Sequence, residues 1–305
     1  MDIETDPRGK QVPQNLDISL KTGDTFEQIK IEIIRSLTGP ATKARTQIPS
    51  GYPDRSAAQG VAGYNDPEYR PVFYAEPKIY GDPQKLPRWA EPIPTDPGER
   101  EMYLAGLPRY PGGPTGIVGP GVLGKPVNWA ADPIVLTVDR SSGDIFQLQI
   151  LRDNLEWGIP GGMVENQDSH LSTALRELEE ETGVKLSAIK PVELYQGPVD
   201  DYRNTDTHYI ASSVFMFVVP WSEAQEFRFQ AEDTDEIRDI RLRKLEPESL
   251  DNLFAAHTQL VKLALAELGS RIEAYVAESE MQCIVVEKIL PLLLGSSGQE
   301  RSTIQ

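Results

Sequence analysis

Between residues 171 and 181 the apolar side chains Leu171, Ala174, Leu175 and Leu178 recur at i, i+3, i+4 and i+7. That spacing predicts a helix with one buried stripe. Asp168 and Ser169 stand just before it as caps. On either side the pattern shortens to strand-like runs. "PIVLTV" and "FQLQIL" are separated by the turn signal "DRSSGD", and "PVELYQG", "YIASSVFMFVV" and "IRDIRL" follow the helix. From "HTQLVKLALAEL" onward the chain reads as helix, broken near Gly269-Ser270. Strands with an interposed helix, closed by further helices, predict a layered α/β domain.

The first 127 residues read differently. "DTFEQIKIEIIRSL" places Phe26, Ile29, Ile33 and Ile34 near helical spacing, with Thr25 as a cap and Gly39-Pro40 as a stop. From Pro40 to Pro133 the chain carries 17 of its 25 prolines, which excludes long helices there. Tyr69, Phe73, Tyr74, Tyr80 and Trp89 are spread through that stretch, so short strands and ordered turns are expected. "GGPTGIVGPGVLG" fits either a run of tight turns or a backbone that approaches a ligand closely. The division is an appendage over 1–47, a proline-rich domain over 48–127, the α/β domain over 128–268 and a helical extension over 269–305.

A net charge of -17 excludes a phosphate-backbone binder and disfavours docking on anionic membranes, so neither nucleic acid nor membrane is expected as a partner. Cys283 is the single cysteine, which leaves no disulfide framework and no cysteine-based zinc site. "MDIETDPRGK" lacks the basic or apolar texture of a targeting peptide, and "CIVVEKILPLLLG" is too short to span a bilayer. A soluble cytoplasmic protein is expected.

The acidic helix carries the chemistry. Glu177, Glu180 and Glu181 fall at i, i+3 and i+4 on a side away from the apolar stripe, and Arg176 sits four residues before Glu180. Like charges at this spacing cost only a few tenths of a kcal/mol when exposed, so periodicity alone also fits a solvated acidic face. The Pro160-Gly161-Gly162 turn ahead of the helix favours the other reading, because it lets backbone come close to the carboxylates. Mg²⁺ suits such hard oxygen ligands, bridging them to phosphate and activating water.

Gly162, five residues, the acid Asp168, seven residues and "RELEEETGV" resemble the Nudix box, Gly-x5-Glu-x7-Arg-Glu-U-x-Glu-Glu-x-Gly-U with U bulky and apolar. Gly162, Arg176, Glu177, Leu178, Glu180, Glu181, Gly183 and Val184 all match; Asp168 stands where the family has its first glutamate. "KART" (43–46), "PRWAEP" (87–92), "NWAADPI", "GPVDDYRNTDTHYI" and "LFAAHTQLVKLA" extend the likeness over residues 43–268. The order is similar to that of ADP-ribose pyrophosphatases with an N-terminal domain, a group whose Nudix domain is also fused to melastatin-type cation channels.

The resemblance implies a Nudix α/β/α sandwich behind a proline-rich, β-containing N-terminal domain, with a helical C-terminal end. It implies hydrolysis of ADP-ribose to AMP and ribose 5-phosphate with Mg²⁺ or Mn²⁺. Glu177, Glu180 and Glu181 would hold the metal and Arg176 would orient them. A further acid would come from Glu232, Asp233, Asp235 or Glu236. Arg203, with Asp201 and Asp206, would contact phosphate or ribose. His257 would lie near the nucleotide and Phe254 would stack on adenine. Thr115, Gly116, Gly119 and Gly162 would lie along the ligand, with Pro120 in place of a basic residue. The alternative is a sensor domain that binds ADP-ribose without cutting it.

Overall fold

Strand β3 (Val127–Val138) is the spine of a seven-stranded mixed sheet in a computed structural model. The structure describes residues 25–37, 60–75, 94, 96–165, 168–186, 188–232, 236–250 and 253–294. "KART", "PRWAEP", Asp233 and Asp235 lie outside the described residues. The sheet runs β5-β4-β3-β8-β7, with β9 on the far edge of β4 and β6 on β3. Here β4 is Ile145–Arg152, β5 Trp157–Gly158, β6 Gly162–Met163, β7 Val192–Pro198, β8 Tyr209–Val218 and β9 Ile237–Lys244. β3 and β8 are parallel over ten registered pairs, Val127↔Tyr209 to Leu136↔Val218. That long central ladder explains why both read as nearly unbroken apolar runs.

β3 changes partner along its length. It pairs with β4 at Leu136–Val138, and with β6 at Ala130 and Ala131. β5 pairs instead with the end of β4, at Ile150 and Leu151. The sheet therefore opens between β3 and β4, and the Trp157–Met163 turn enters the gap. This opening positions the site.

Two apolar layers cover the sheet. On one face Ala174 and Leu178 of the acidic helix pack against Ala131, Val135, Leu148 and Phe217. On the other, Leu260, Val261, Ala264 and Leu268 meet Ile134, Leu136, Val214 and Met216. The result is an α/β/α sandwich.

Helix α1 (Phe26–Leu37) belongs to this body. Ile29, Ile33 and Leu37 are buried in the second layer. Gly269 permits the contact: a Cβ there would lie 2.5 Å from the Phe26 ring. Lys30 Nζ reaches Glu267 at 2.6 Å, and Arg271 holds the other oxygen of the same carboxylate at 3.0 Å.

The proline-rich stretch contributes β1 (Val72–Ala75), parallel to β2 (Ile117–Gly121), and helix α2 (Pro97–Ala105) capped by Asp96. Tyr110, Ile117 and Leu123 from this stretch are buried, with Leu123 in the same layer as α1. Among the described residues no helix is long and apolar enough to cross a membrane.

Candidate active site

The acidic helix, α3, runs from His170 to Thr182. Ser169 caps its start by accepting from the Ser172 N–H at 3.1 Å, and Gly183 ends it at φ 76°. Its apolar stripe lies inward as expected, with Ala174 and Leu178 fully buried. The carboxylates divide between two environments. Glu177 and Glu181, one turn apart, line a cleft of about 300 Å³. Glu180 does not line it; its side chain is 40% exposed and is held by Arg176 at 2.6 Å. Arg176 also holds Glu177, at 2.8 Å. The expected convergence of all three is thus not formed, because the guanidinium sits between two of them. Among the described residues no three His, Cys, Asp or Glu side chains are gathered as an ion site.

The Gly161-Gly162 turn closes on these acids. The Gly161 N–H donates to Glu181 Oε2 at 2.8 Å. Gly161 has φ 147°, and a Cβ there would lie 2.4 Å from Asp132 Oδ1; one on Gly162 would lie 2.4 Å from the Glu177 carboxyl. Both positions need glycine for the carboxylates to approach the backbone.

Asp132 is a third acid in the cleft, from β3, and sequence reasoning missed it. It is buried, accepts from the Ser212 hydroxyl, and is pushed by burial up to about 6. Burial also pushes Glu181 up to about 8 and raises Glu177. One visible signal was an acid inside the apolar strand "AADPIVL". Buried carboxylate oxygens fit a hard divalent cation, whose charge would offset the cost of ionising them away from water.

Arg152, at the end of β4 and also missed, lines the same cleft and attracts the Asp132 and Glu181 carboxylates. Among the described residues it forms no ion pair; its guanidinium lies 5.1 Å from the centre of the Phe254 ring. Phe254 meets His257 edge-on at 5.3 Å. Both line the cleft, turned there by Ala255, which adopts φ 46°. His257 Nδ1 accepts the Ile159 N–H at 3.1 Å, and burial pushes its pKa down to about 3. The ring is therefore neutral, with its proton on Nε2.

Asp201 and Arg203 line the cleft from the loop between β7 and β8. They are joined by two bonds of 2.9 Å, from Nε and Nη2 to the two carboxylate oxygens. Glu236 lines the cleft at the start of β9. Glu232 does not; its amide caps the carbonyl of Glu180 at 2.7 Å. Thr115 and Asp206, expected along the ligand, are fully buried away from the cleft lining and bond to each other. Gly119 is likewise outside the lining, its N–H donating to Thr207 at 3.0 Å.

Residues 130–263 match the family model described as NUDIX domain. The chain is 35% identical over 167 residues to "Putative nudix hydrolase 6" of Caenorhabditis elegans, covering 51% of this chain and 62% of that protein. It is 28% identical over 245 residues to the mitochondrial ADP-ribose pyrophosphatase of Rattus norvegicus, covering 64% and 68%. A transient receptor potential cation channel subfamily M member-like 2 of Nematostella vectensis is 29% identical over 200 residues, covering 50% of this chain and 13% of the channel. The match to the first of these relatives thus spans under two thirds of that protein's length. A solved MutT/nudix family protein from Enterococcus faecalis overlaps 64% of this chain and 75% of its own, at 16% identity and a TM-score of 0.41.

Proposed function

We propose that this chain, whose residues 130–263 form a Nudix domain, hydrolyses the diphosphate bond of ADP-ribose to AMP and ribose 5-phosphate, with Mg²⁺ or Mn²⁺ as cofactor. The observation that carries this reading is one cleft that sets buried carboxylates against an arginine with no ion pair among the described residues. A diphosphate with a bound cation satisfies both sides. The relative named as an ADP-ribose pyrophosphatase supports the choice of substrate.

Glu177 and Glu181 would hold the cation from within the cleft. Glu180 would join them by exchanging its bond with Arg176, which then steadies the set from outside. When bound, the ion supplies charge neutralisation at the diphosphate and lowers the pKa of an attacking water. Arg152 binds a phosphate oxygen, and Phe254 offers its ring to the adenine. His257 donates from Nε2. Arg203, already braced by Asp201, presents its remaining N–H groups to phosphate or ribose. Glu236 takes the proton from the water as its oxygen bonds to phosphorus. The P–O–P bridge breaks, and the bridging oxygen leaves with the other phosphate.

The channel relative supports a second reading, a domain that binds ADP-ribose without cutting it. The full set Glu177, Glu180 and Glu181 argues for turnover. Incubation with ADP-ribose and Mg²⁺, beside ADP-glucose and NAD, followed by chromatography, decides between them. AMP and ribose 5-phosphate are expected; bound but intact ADP-ribose would leave the second reading standing.

A further inference from the structure

The loop that carries Asp201 and Arg203 is tied to the proline-rich stretch around one buried side chain, Asp206. Asp206 Oδ1 accepts from the Thr115 N–H at 2.8 Å and the Thr115 hydroxyl at 2.9 Å. Asp206 Oδ2 accepts from the Tyr69 hydroxyl, with Arg109 at 3.9 Å. Its backbone joins the same segment: its N–H donates to Ile117 O at 2.7 Å, and its carbonyl accepts from Tyr110 N at 2.9 Å. Beside it the Thr205 hydroxyl donates to Gly119 O. Two residues before Asp206, the Asn204 side chain donates to Val199 O and accepts the Ile210 N–H, both at 2.8 Å, so the loop is pinned across its base.

We propose that Asp206 is a positioning residue, through which the segment from Tyr69 to Ile117 sets how Asp201 and Arg203 face the cleft. The proposal rests on the reading of the cleft as a diphosphate site only for its effect on substrate. Physically, a loop closed at its base still pivots unless a second anchor fixes its apex. Asp206 lies three residues after Arg203 and is fully buried, and it gathers donors from Tyr69 and Thr115, far away in sequence. This gives the glycine-rich segment a role in place of ligand contact: Gly119, at φ 103°, brings its backbone against Thr205 and Thr207 where a Cβ would strike Tyr74 O at 2.8 Å.

The test uses Tyr69→Phe, Thr115→Val and their double variant, none of which alters a cleft residue. Thr115→Ser serves as the conservative control. In the substrate-free protein, amide exchange over residues 200–206 should accelerate about tenfold or more in the double variant. KM for ADP-ribose should rise by a similar factor with kcat within about twofold, and Thr115→Ser should behave as wild type. Unchanged exchange at 200–206 would overturn the proposal. So would an equal rise in KM for Thr115→Ser and Thr115→Val, or a loss of melting temperature with KM untouched. If the double variant does not fold, Tyr69→Phe alone carries the same comparison. Exchange needs no substrate, so a wild-type protein that leaves ADP-ribose intact would sink the functional reading while the exchange result still decides this one.

Discussion

Replacing Glu181 by Gln should stabilise the metal-free protein at alkaline pH while abolishing turnover. Gln keeps the length of the side chain and an oxygen for the Gly161 N–H, now at 2.8 Å. It removes a charge that the site disfavours. Burial is the largest influence on Glu181 and pushes it from 4.5 to about 8, against the attraction of Arg152 and the Gly161 bond. The folded state thus holds this proton more tightly than the unfolded chain does. Its contribution to stability is full below about pH 4.5 and is lost as pH rises through about 8. The whole rise corresponds to at most about 5 kcal/mol, of which about 2 kcal/mol falls between pH 6.5 and 8.5. Asp132, which titrates near 6, adds little across that range, while burial holds His257 near 3 and His208 near 4, so each opposes the loss by about 0.4 kcal/mol as its unfolded form deprotonates from an ordinary value of 6.5. At about 2–4 °C per kcal/mol, the wild type should lose about 4–8 °C more in Tm than the variant across the range in EDTA. Glu181→Gln should rise slightly there and melt above wild type at pH 8.5. Saturating Mg²⁺ should narrow the gap at pH 8.5 by about half, since a ligand at about 100 times its Kd adds about 2.7 kcal/mol to the wild type alone. Thermal melts by circular dichroism at both pH values, with EDTA and with Mg²⁺, read all four states. A variant that keeps the wild-type slope in EDTA, or melts below wild type at pH 8.5, would show that Glu181 is not the buried group that ionises.

Arg152→Ala should raise KM for ADP-ribose about tenfold or more with a smaller change in kcat, since it removes a charge-assisted bond to phosphate but no group that reacts; steady-state kinetics check it, and an unchanged KM removes Arg152 from the site. Glu180→Gln should cut kcat about a hundredfold or more while moving Tm by no more than about 2 °C, because the lost pair with Arg176 is partly exposed and a pair open to solvent contributes little; retained turnover would leave the two cleft glutamates sufficient. Ile33→Ala should destabilise the fold by about 2–5 kcal/mol in urea titration, because Ile33 is fully buried; an unchanged midpoint would mean that α1 is separable from the core.

What the sequence disclosed depended on whether the deciding contact was local. Helix α3 was legible because its stripe, its Ser169 cap and its Gly183 stop all lie within one short stretch. The strands were legible for the same reason. The placement of α1 was not, because the glycine that admits Phe26 and the acid that binds Lys30 sit near residue 268, beyond the reach of periodicity. The wheel of the acidic helix gave the correct angles for Glu177, Glu180 and Glu181, yet angle did not decide which of them faced the cleft. Glu177 lines it and Glu180 does not, although Arg176 holds both.

Thr115 and Asp206 show the harder limit. A buried aspartate that gathers an amide, a hydroxyl and a phenol uses the same groups that would bind a ribose, so residue type cannot separate the two uses. What separates them is whether those donors are already satisfied within the fold. For Asp206 they are. For Arg152 there is no ion pair among the described residues, although its place at the end of an apolar strand drew no attention. The comparison that locates a ligand is therefore one between cations. Arg203 is braced by two bonds and Arg176 by two carboxylates, which leaves Arg152 as the guanidinium in this cleft with the most charge to offer an incoming diphosphate.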